Sequence, residues 1–147
     1  MNVVSLLISK PAFARHEALV RRRAFRILKQ VKQDGVFVEI HLEHDSMMRL
    51  LNRRLRGKFY AANILSFREP IPFPRPDAPR GKRVLGEIYL NPGFVAEWQK
   101  RGKKKNVFPL DALLAHGLLH LLGFKHARKS DRIRMERMER RIMNNES

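Results

Sequence analysis

Short apolar runs alternate with longer amphipathic segments along the first two thirds of the chain. Branched apolar residues dominate positions 3–8, an alternating pattern covers residues 36–42, and further short runs fall at residues 63–67 and 84–90. Runs of this length, rich in Val, Ile and Phe and bounded by Gly, Pro or Asn, are typical of β-strands. The pattern therefore predicts four strands.

Helical periodicity appears between and after these runs. Residues 11–33 place apolar side chains on one face and arginines and lysines on the opposite face, as in an amphipathic surface helix. Gly57 and Gly123 each follow an apolar periodic segment, where a glycine commonly ends a helix. Four further helices are expected, beginning at the N-cap Asp45, at residue 94, near Pro109 and at the cap Ser130.

The order of these elements indicates the fold class. Strands and helices alternate early and helices dominate late, which indicates an α+β fold. We expect a small, mixed four-stranded sheet packed with about five helices, with the helix around residue 116 in the centre. A chain of 147 residues with 44% hydrophobic content has the size of one domain, so residues 1–147 are predicted to form a single domain.

Charge narrows the set of partners. The chain has 31 lysines and arginines against 14 acidic residues, a formal net charge of +17. An excess of this size predicts attraction to polyanions, above all to nucleic acid and secondarily to anionic lipid. A basic run at Lys100–Lys105, directly before the predicted central helix, could guide a phosphate backbone electrostatically.

The lack of cysteine and the shortness of the first apolar run exclude some kinds of metal site and some cellular locations. The chain contains no cysteine, which excludes disulfides and thiolate metal ligands. The apolar run at residues 3–8 is far shorter than a spanning helix and lacks the charged lead-in of a secretion signal. We therefore expect a cytoplasmic protein that does not enter a membrane.

The candidate chemistry lies in three histidines, His116, His120 and His126. The first two are four residues apart, so on a helix they point the same way, and Gly123 would let the chain return the third toward them. A lone histidine on an apolar helix is usually a buried, hydrogen-bonded core residue. Three at this spacing favour a shared ion, because three protein ligands and a water form a catalytic zinc site. We predict one zinc ion per chain on these residues.

Two other histidines, His41 and His44, lie far from this cluster in the sequence. They lack the spacing of metal ligands. We interpret them as a strand residue and a loop residue.

The residues from His116 to His126 read H-G-L-L-H-L-L-G-F-K-H. This string resembles the signature H-G-x-L-H-L-x-G-[YF]-D-H of the YbeY family, bacterial rRNA maturation factors that are metal-dependent endoribonucleases. It departs from that signature at Lys125, where the family usually carries an aspartate.

The resemblance extends over most of the chain. Asn52 and the residues 56–68 that follow it resemble the family segment R-G-x-x-x-x-T-[ND]-V-L-S-F-P, with Ala62 in place of the threonine and Arg68 in place of the proline. Residues 86–88, Gly-Glu-Ile, resemble its G-D-I segment with a longer acid. Met135, Glu136 and Glu139 fit its closing helix.

The resemblance implies a fold, an activity and a set of partners. It implies an α+β fold with a zincin-like local arrangement of the metal-binding helix. The implied activity is a single-strand-specific, metal-dependent endoribonuclease in 16S rRNA 3′ end processing, ribosome assembly and quality control. Implied partners are rRNA, the small ribosomal subunit and an assembly GTPase. The family pattern places its important arginine at Arg56, whose guanidinium can grip two oxygens of the scissile phosphate.

Two other functions remain open at this point. In a non-catalytic RNA-binding assembly factor the metal would be structural, and Lys125 favours this reading because a cation beside a divalent metal weakens its binding. A zinc protease is the third alternative. Proteases of the H-E-x-x-H type carry a glutamate as general base directly after the first histidine, where this chain has Gly117. We therefore expect no peptidase activity.

Overall fold

The computed structural model describes residues 1–69, 76–93, 109–125 and 127–144. The first strands and helices are β1 (Val3–Ile8), a 3₁₀ turn (Pro11–Phe13), α1 (Ala14–Gln30), β2 (Val36–Leu42) and α2 (Asp45–Arg56). They are followed by β3 (Ile64–Arg68), β4 (Arg83–Leu90), α3 (Pro109–Leu121) and α4 (Lys129–Asn144). All four predicted strands and four of the five predicted helices are present, and the short helix expected from residue 94 lies outside the described residues.

The four strands form one mixed sheet, as predicted, and the structure gives their order as β1-β2-β4-β3. The strands β1, β2 and β4 run parallel, and β3 pairs antiparallel with β4 at the edge. Helix α1 makes the crossover between the parallel strands β1 and β2, since such strands cannot be joined by a tight turn. In this register Glu39 lies opposite Glu87, and His41 lies opposite Tyr89.

The larger hydrophobic core lies where α1 and α3 pack on one face of the sheet. Helix α3 is apolar on most sides, and Leu114, Leu118 and Leu119 are all fully buried. Burying a leucine side chain stabilises a fold by about 1.5–3 kcal/mol. A partly buried ion pair also joins the two helices, because Arg23 Nη1 on α1 lies 2.6 Å from Asp111 Oδ2 in the first turn of α3. These contacts fix the helix that carries the two described histidines of the motif.

A smaller apolar cluster lies on the opposite face of the sheet, since side chains alternate between the faces of a strand. It joins Met48 of α2 to Ala62 and Leu65, with Phe67 and Tyr89 packed against it. The cluster holds α2 against β3. The end of α2, which carries Arg56, is thereby placed next to the edge of the sheet.

The ends of the helices differ in detail from the predictions. The N-cap of α2 is His44, whose ring Nδ1 accepts a hydrogen bond from the backbone N–H of Met47 at 3.3 Å. The prediction that Asp45 is the cap is therefore wrong, and Asp45 instead lies in the first turn, where its carboxylate accepts a hydrogen bond from Asn91 Nδ2. Helix α4 begins at Lys129, so Ser130 lies inside its first turn.

Gly57 ends α2 in the left-handed conformation, with φ of 68°, as predicted. None of the helices in the described parts of the chain combines the length and the apolar character needed to cross a membrane.

Candidate active site

The last turns of α3 bring His116 and His120 together at a surface cleft. Their Nε2 atoms lie 3.1 Å apart, and the ring planes are inclined at 78°. Both rings line a cavity of about 310 Å³, together with Arg56 of α2 and the residues 64–67 of β3. The cleft therefore joins two of the three predicted ligands to the predicted phosphate-binding arginine.

The geometry of this histidine pair fits a shared metal ion. Two nitrogens that bind zinc at 2.0–2.1 Å in tetrahedral geometry lie about 3.3 Å apart. The observed Nε2 separation of 3.1 Å is close to that value. Neutral imidazole is also a preferred ligand of zinc and related transition metals. The donor type and the spacing of His116 and His120 thus suit a divalent ion.

The turn after α3 closes as a Schellman motif. The backbone N–H of Gly123 bonds to the carbonyl of His120, and that of Phe124 bonds to the carbonyl of Leu119, both at 3.0 Å. Gly123 has a φ of 99°, which favours glycine. The predicted role of Gly123 in ending the helix is confirmed. The predicted third ligand, His126, lies outside the described residues.

Glu139 of α4 reaches the outer side of the histidine pair. Its Oε1 atom lies 3.6 Å from Nδ1 of His116, on the ring edge away from the Nε2 that faces His120. This separation lies within ion-pair range and is longer than a hydrogen bond. A carboxylate that closes to hydrogen-bond distance from the second nitrogen of a metal-binding imidazole would fix its tautomer and its orientation. Packing of Met135 and Ile142 into the core holds α4 in the position that makes this contact.

Gly117 permits a close approach of α3 to the sheet. A Cβ atom at this position would lie 2.8 Å from Cδ1 of Ile64 and 3.2 Å from Cδ1 of Ile88. The position next to His116 therefore faces β3 and β4. A glutamate there would meet the apolar side chains of the sheet.

Arg56 is held at the cleft through Asn52, which is fully buried. The Asn52 Oδ1 atom accepts a hydrogen bond from Arg56 Nη1 at 3.5 Å, and its Nδ2 donates to the carbonyl of Tyr60 at 2.9 Å. The backbone N–H of Lys58 also bonds to the carbonyl of Asn52. One buried amide thus links the cleft arginine to the loop that leaves α2.

The two departures from the family pattern that add positive charge lie near the same turn. A Cβ atom on Gly123 would lie 3.2 Å from Nη1 of Arg68, so this guanidinium rests against the turn that precedes Lys125. Lys125 is exposed and, with Arg128, Arg134 and the acidic Asp131, lines a second cavity of about 560 Å³. The surface next to the histidines is therefore strongly basic.

A second group able to hold a metal lies on the sheet. Glu39, His41 and Glu87 each offer a ligand atom, and these atoms lie within 4.8 Å of one another. His41 Nε2 is 2.8 Å from Glu39 Oε1, and its ring stacks on Tyr89. Burial, together with the nearby Glu87 carboxylate, raises the pKa of Tyr89 to about 12. The interpretation of His41 as a simple strand residue did not anticipate this cluster, because its partner Glu87 is contributed by another strand.

Sequence reasoning gave neither Asn52 nor Glu139 a role in the site. Asn52 was noted only as a match to the family upstream of the R-G segment, and Glu139 lies in a helix rich in exposed charge. A match to the family's closing helix was the available signal for Glu139. No local pattern indicated which ring it would meet.

Comparison with known proteins identifies the family. The family model described as Endoribonuclease YbeY matches residues 10–146. Endoribonuclease YbeY of an Anaeromyxobacter species is 35% identical over 120 residues, which are 82% of this chain and 59% of that protein. The Thermodesulfovibrio yellowstonii protein of the same name is 39% identical over 102 residues, 69% of this chain and 61% of that protein. The chain thus spans less than two thirds of the length of either relative.

A solved structure agrees with the fold. The solution structure of a Thermotoga maritima protein aligns with a TM-score of 0.52 at 21% identity, over 96% of this chain and 89% of that one. This likeness supports the α+β architecture alone. Since the family model matches residues 10–146, a range that includes the histidine motif of this chain, the chain belongs to the YbeY family.

Proposed function

We propose that this protein is a metal-dependent endoribonuclease that cleaves single-stranded RNA. The observation that carries the proposal is the cleft in which His116, His120 and Arg56 line one cavity. The names of the relatives and the net charge of +17 support RNA as the substrate. The proposed metal is one zinc ion per chain, on His116, His120 and His126.

Each residue of the cleft has a role in this proposal. Arg56 binds the scissile phosphate, because a guanidinium presents two N–H donors in the geometry of two phosphate oxygens. His116 and His120 hold the ion, and Glu139 keeps the His116 ring in its binding orientation. A bound divalent ion would supply a Lewis acid for a phosphoryl oxygen. RNA carries an internal nucleophile, its 2′-hydroxyl, so cleavage does not require a carboxylate at position 117 to activate a water; the hydroxyl proton would pass to solvent, and the departing 5′-oxygen would take one from solvent.

The biological setting is proposed from the family. The proposed substrate is the 3′ end of 16S rRNA. The proposed cleavage takes place in the cytoplasm, on the small ribosomal subunit and together with an assembly GTPase. The basic surface formed by Arg68, Lys125, Arg128 and Arg134 is consistent with such a partner, since phosphate contacts dominate nonspecific affinity for RNA. The basic run at Lys100–Lys105, which was predicted to guide a phosphate backbone, lies outside the described residues.

A substrate panel with Arg56 variants tests the proposed function. The purified protein should cleave single-stranded RNA and leave casein intact. Arg56→Ala should lower the cleavage rate by roughly 10²-fold or more, as loss of one preorganised donor to a developing charge does. Arg56→Lys should restore only part of this loss, because an ammonium cannot make the two-pronged contact. Arg22→Ala, an exposed arginine on α1 that does not line the cavity, is the matched control and should change the rate little.

Chelator-sensitive cleavage of casein, or equal cleavage by wild type and Arg56→Ala, would contradict this assignment. Binding of RNA without any cleavage would instead favour the non-catalytic assembly factor. Lys125 is the specific observation behind that second candidate, since a cation beside the ligands weakens metal binding.

Removal of the Glu139 carboxylate should weaken metal binding. Glu139→Gln is expected to lower zinc affinity about 10- to 100-fold, the usual effect of losing a carboxylate that orients a ligating histidine. Calorimetric titration with zinc measures the change. The exposed neighbour Glu136→Gln lies on the same helix and should leave the affinity unchanged, and an equal loss in both variants would point to the charge of the helix rather than to this contact.

A further inference from the structure

We propose that Phe59 and Tyr60 form a stacking platform for unpaired bases of single-stranded RNA beside the cleft. The inference deepens the proposed function and rests on it for the identity of the ligand. The platform belongs to the loop of residues 57–63 between α2 and β3. Residues 58–61 of this loop fall on the unspecified positions of the family pattern given above, so the pattern does not assign them a role.

The two aromatic side chains are unusually exposed. Phe59 is 79% exposed and Tyr60 is 56% exposed, although both carry large apolar rings. The following residue pair is different, since Ala62 is buried and packs with Met48 and Leu65 while Ala61 is packed against that cluster. The loop therefore has a packed half that fixes it and an exposed half that presents two rings to solvent.

The loop is tied to the cleft at both ends. It begins after Arg56 and ends before Ile64, and both of these residues line the cavity with His116 and His120. The Cα atom of Phe59 is three residues from that of Arg56, so the two are at most about 11 Å apart. Asn52 fixes the geometry, because its amide bonds to Arg56 and to the carbonyl of Tyr60.

The positive charge around the two rings indicates which ligand the platform binds. Arg53, Arg54, Arg56 and Lys58 are all exposed at the end of α2 or in the first turn of the loop. A group of cations directly before two exposed aromatic rings suits a strand that carries a phosphate backbone and free bases. An apolar protein partner would gain nothing from the four nearby positive charges. A duplex would not present its bases to the rings. Single-stranded RNA with one phosphate at Arg56 would place a neighbouring nucleotide near Phe59.

Binding of two matched oligonucleotides tests the platform. A labelled 12-nucleotide uridine RNA and a chain of equal length with abasic residues are titrated in the presence of chelator, so that no cleavage occurs. Phe59→Ala with Tyr60→Ala should weaken binding of the uridine RNA by about 5- to 150-fold for each stacked base lost. Binding of the abasic chain and its salt dependence should stay at the wild-type level.

Two further variants separate stacking from apolar contact and from folding. Phe59→Leu keeps an apolar side chain without a π-face and should lose affinity nearly as Phe59→Ala does. Leu55→Ala removes a 57% exposed apolar side chain from the same region and should leave both affinities unchanged.

Equal losses on both oligonucleotides, or no loss on either, would overturn the platform. It would also fall if the uridine affinity stayed unchanged while the double variant abolished self-association in sedimentation, because the rings would then serve a contact between copies. The nuclease proposal fails by a different result, namely that the protein does not cleave RNA when metal is present. The platform is tested by binding in the absence of metal, so the two failures can be told apart.

Discussion

Replacement of His116 by alanine is expected to lower RNA cleavage and zinc affinity by at least about a hundredfold. Loss of a partner that merely orients a ligand costs about 10- to 100-fold, so loss of the ligand itself should cost more. The variant removes one of two Nε2 atoms that face each other at 3.1 Å. Zinc titration and a cleavage time course measure the two effects on the same preparation.

The matched control is His41→Ala. This histidine belongs to the group with Glu39 and Glu87 on the sheet, which could also hold a metal. If the zinc lies between His116 and His120, the control should retain it. If His41→Ala lost zinc binding while His116→Ala kept it, the metal would lie on the sheet. That result would contradict the proposed centre.

Gly117→Glu is expected to destabilise the fold by roughly 3 kcal/mol or more, as overpacking combined with a buried charge does. Even a Cβ atom would approach Ile64 to 2.8 Å, and the carboxylate would lie against the apolar side chains of the sheet. Urea denaturation measures the free energy of unfolding. The substitution therefore tests the packing of α3 on the sheet. It would not create the general base of a zinc protease, because the carboxylate would be directed into the sheet.

Gly117→Ala is the graded control for this effect. Its methyl group meets the flexible end of Ile64, and alanine gains about 1 kcal/mol of helix propensity over glycine. We expect a change in stability within about 1 kcal/mol. Wild-type stability of Gly117→Glu would show that α3 lies farther from β3 than described.

Much of the fold could be predicted because its signals are local. Apolar and polar residues alternate over residues 36–42, and this run coincides with the strand Val36–Leu42. Gly123 ends α3 with the hydrogen bonds expected of a glycine at that position. The spacing of His116 and His120 likewise depends on helix geometry alone. Such features need no knowledge of which distant segments pack together.

The remaining features depend on contacts between distant parts of the chain. Glu139 meets His116 only because α4 packs against α3, and Glu87 meets His41 only through the register of β2 and β4. Hydrophobic periodicity indicates which face of an element is buried and gives neither its partner nor its register. The N-cap of α2 was also predicted wrongly, because aspartate is a commoner N-cap than histidine and Asp45 directly follows His44.

Cleavage of single-stranded RNA by the purified protein, before and after removal of metal, tests the central claim most directly. The substrate is a transcript of the 16S rRNA 3′ end, assayed as prepared, after chelator treatment, and after addition of zinc to the treated protein. We expect cleavage that disappears with chelator and returns with zinc in the wild type, and no return in His116→Ala. Cleavage that persists after complete metal removal, or that returns equally in His116→Ala, would contradict a metal centre on α3.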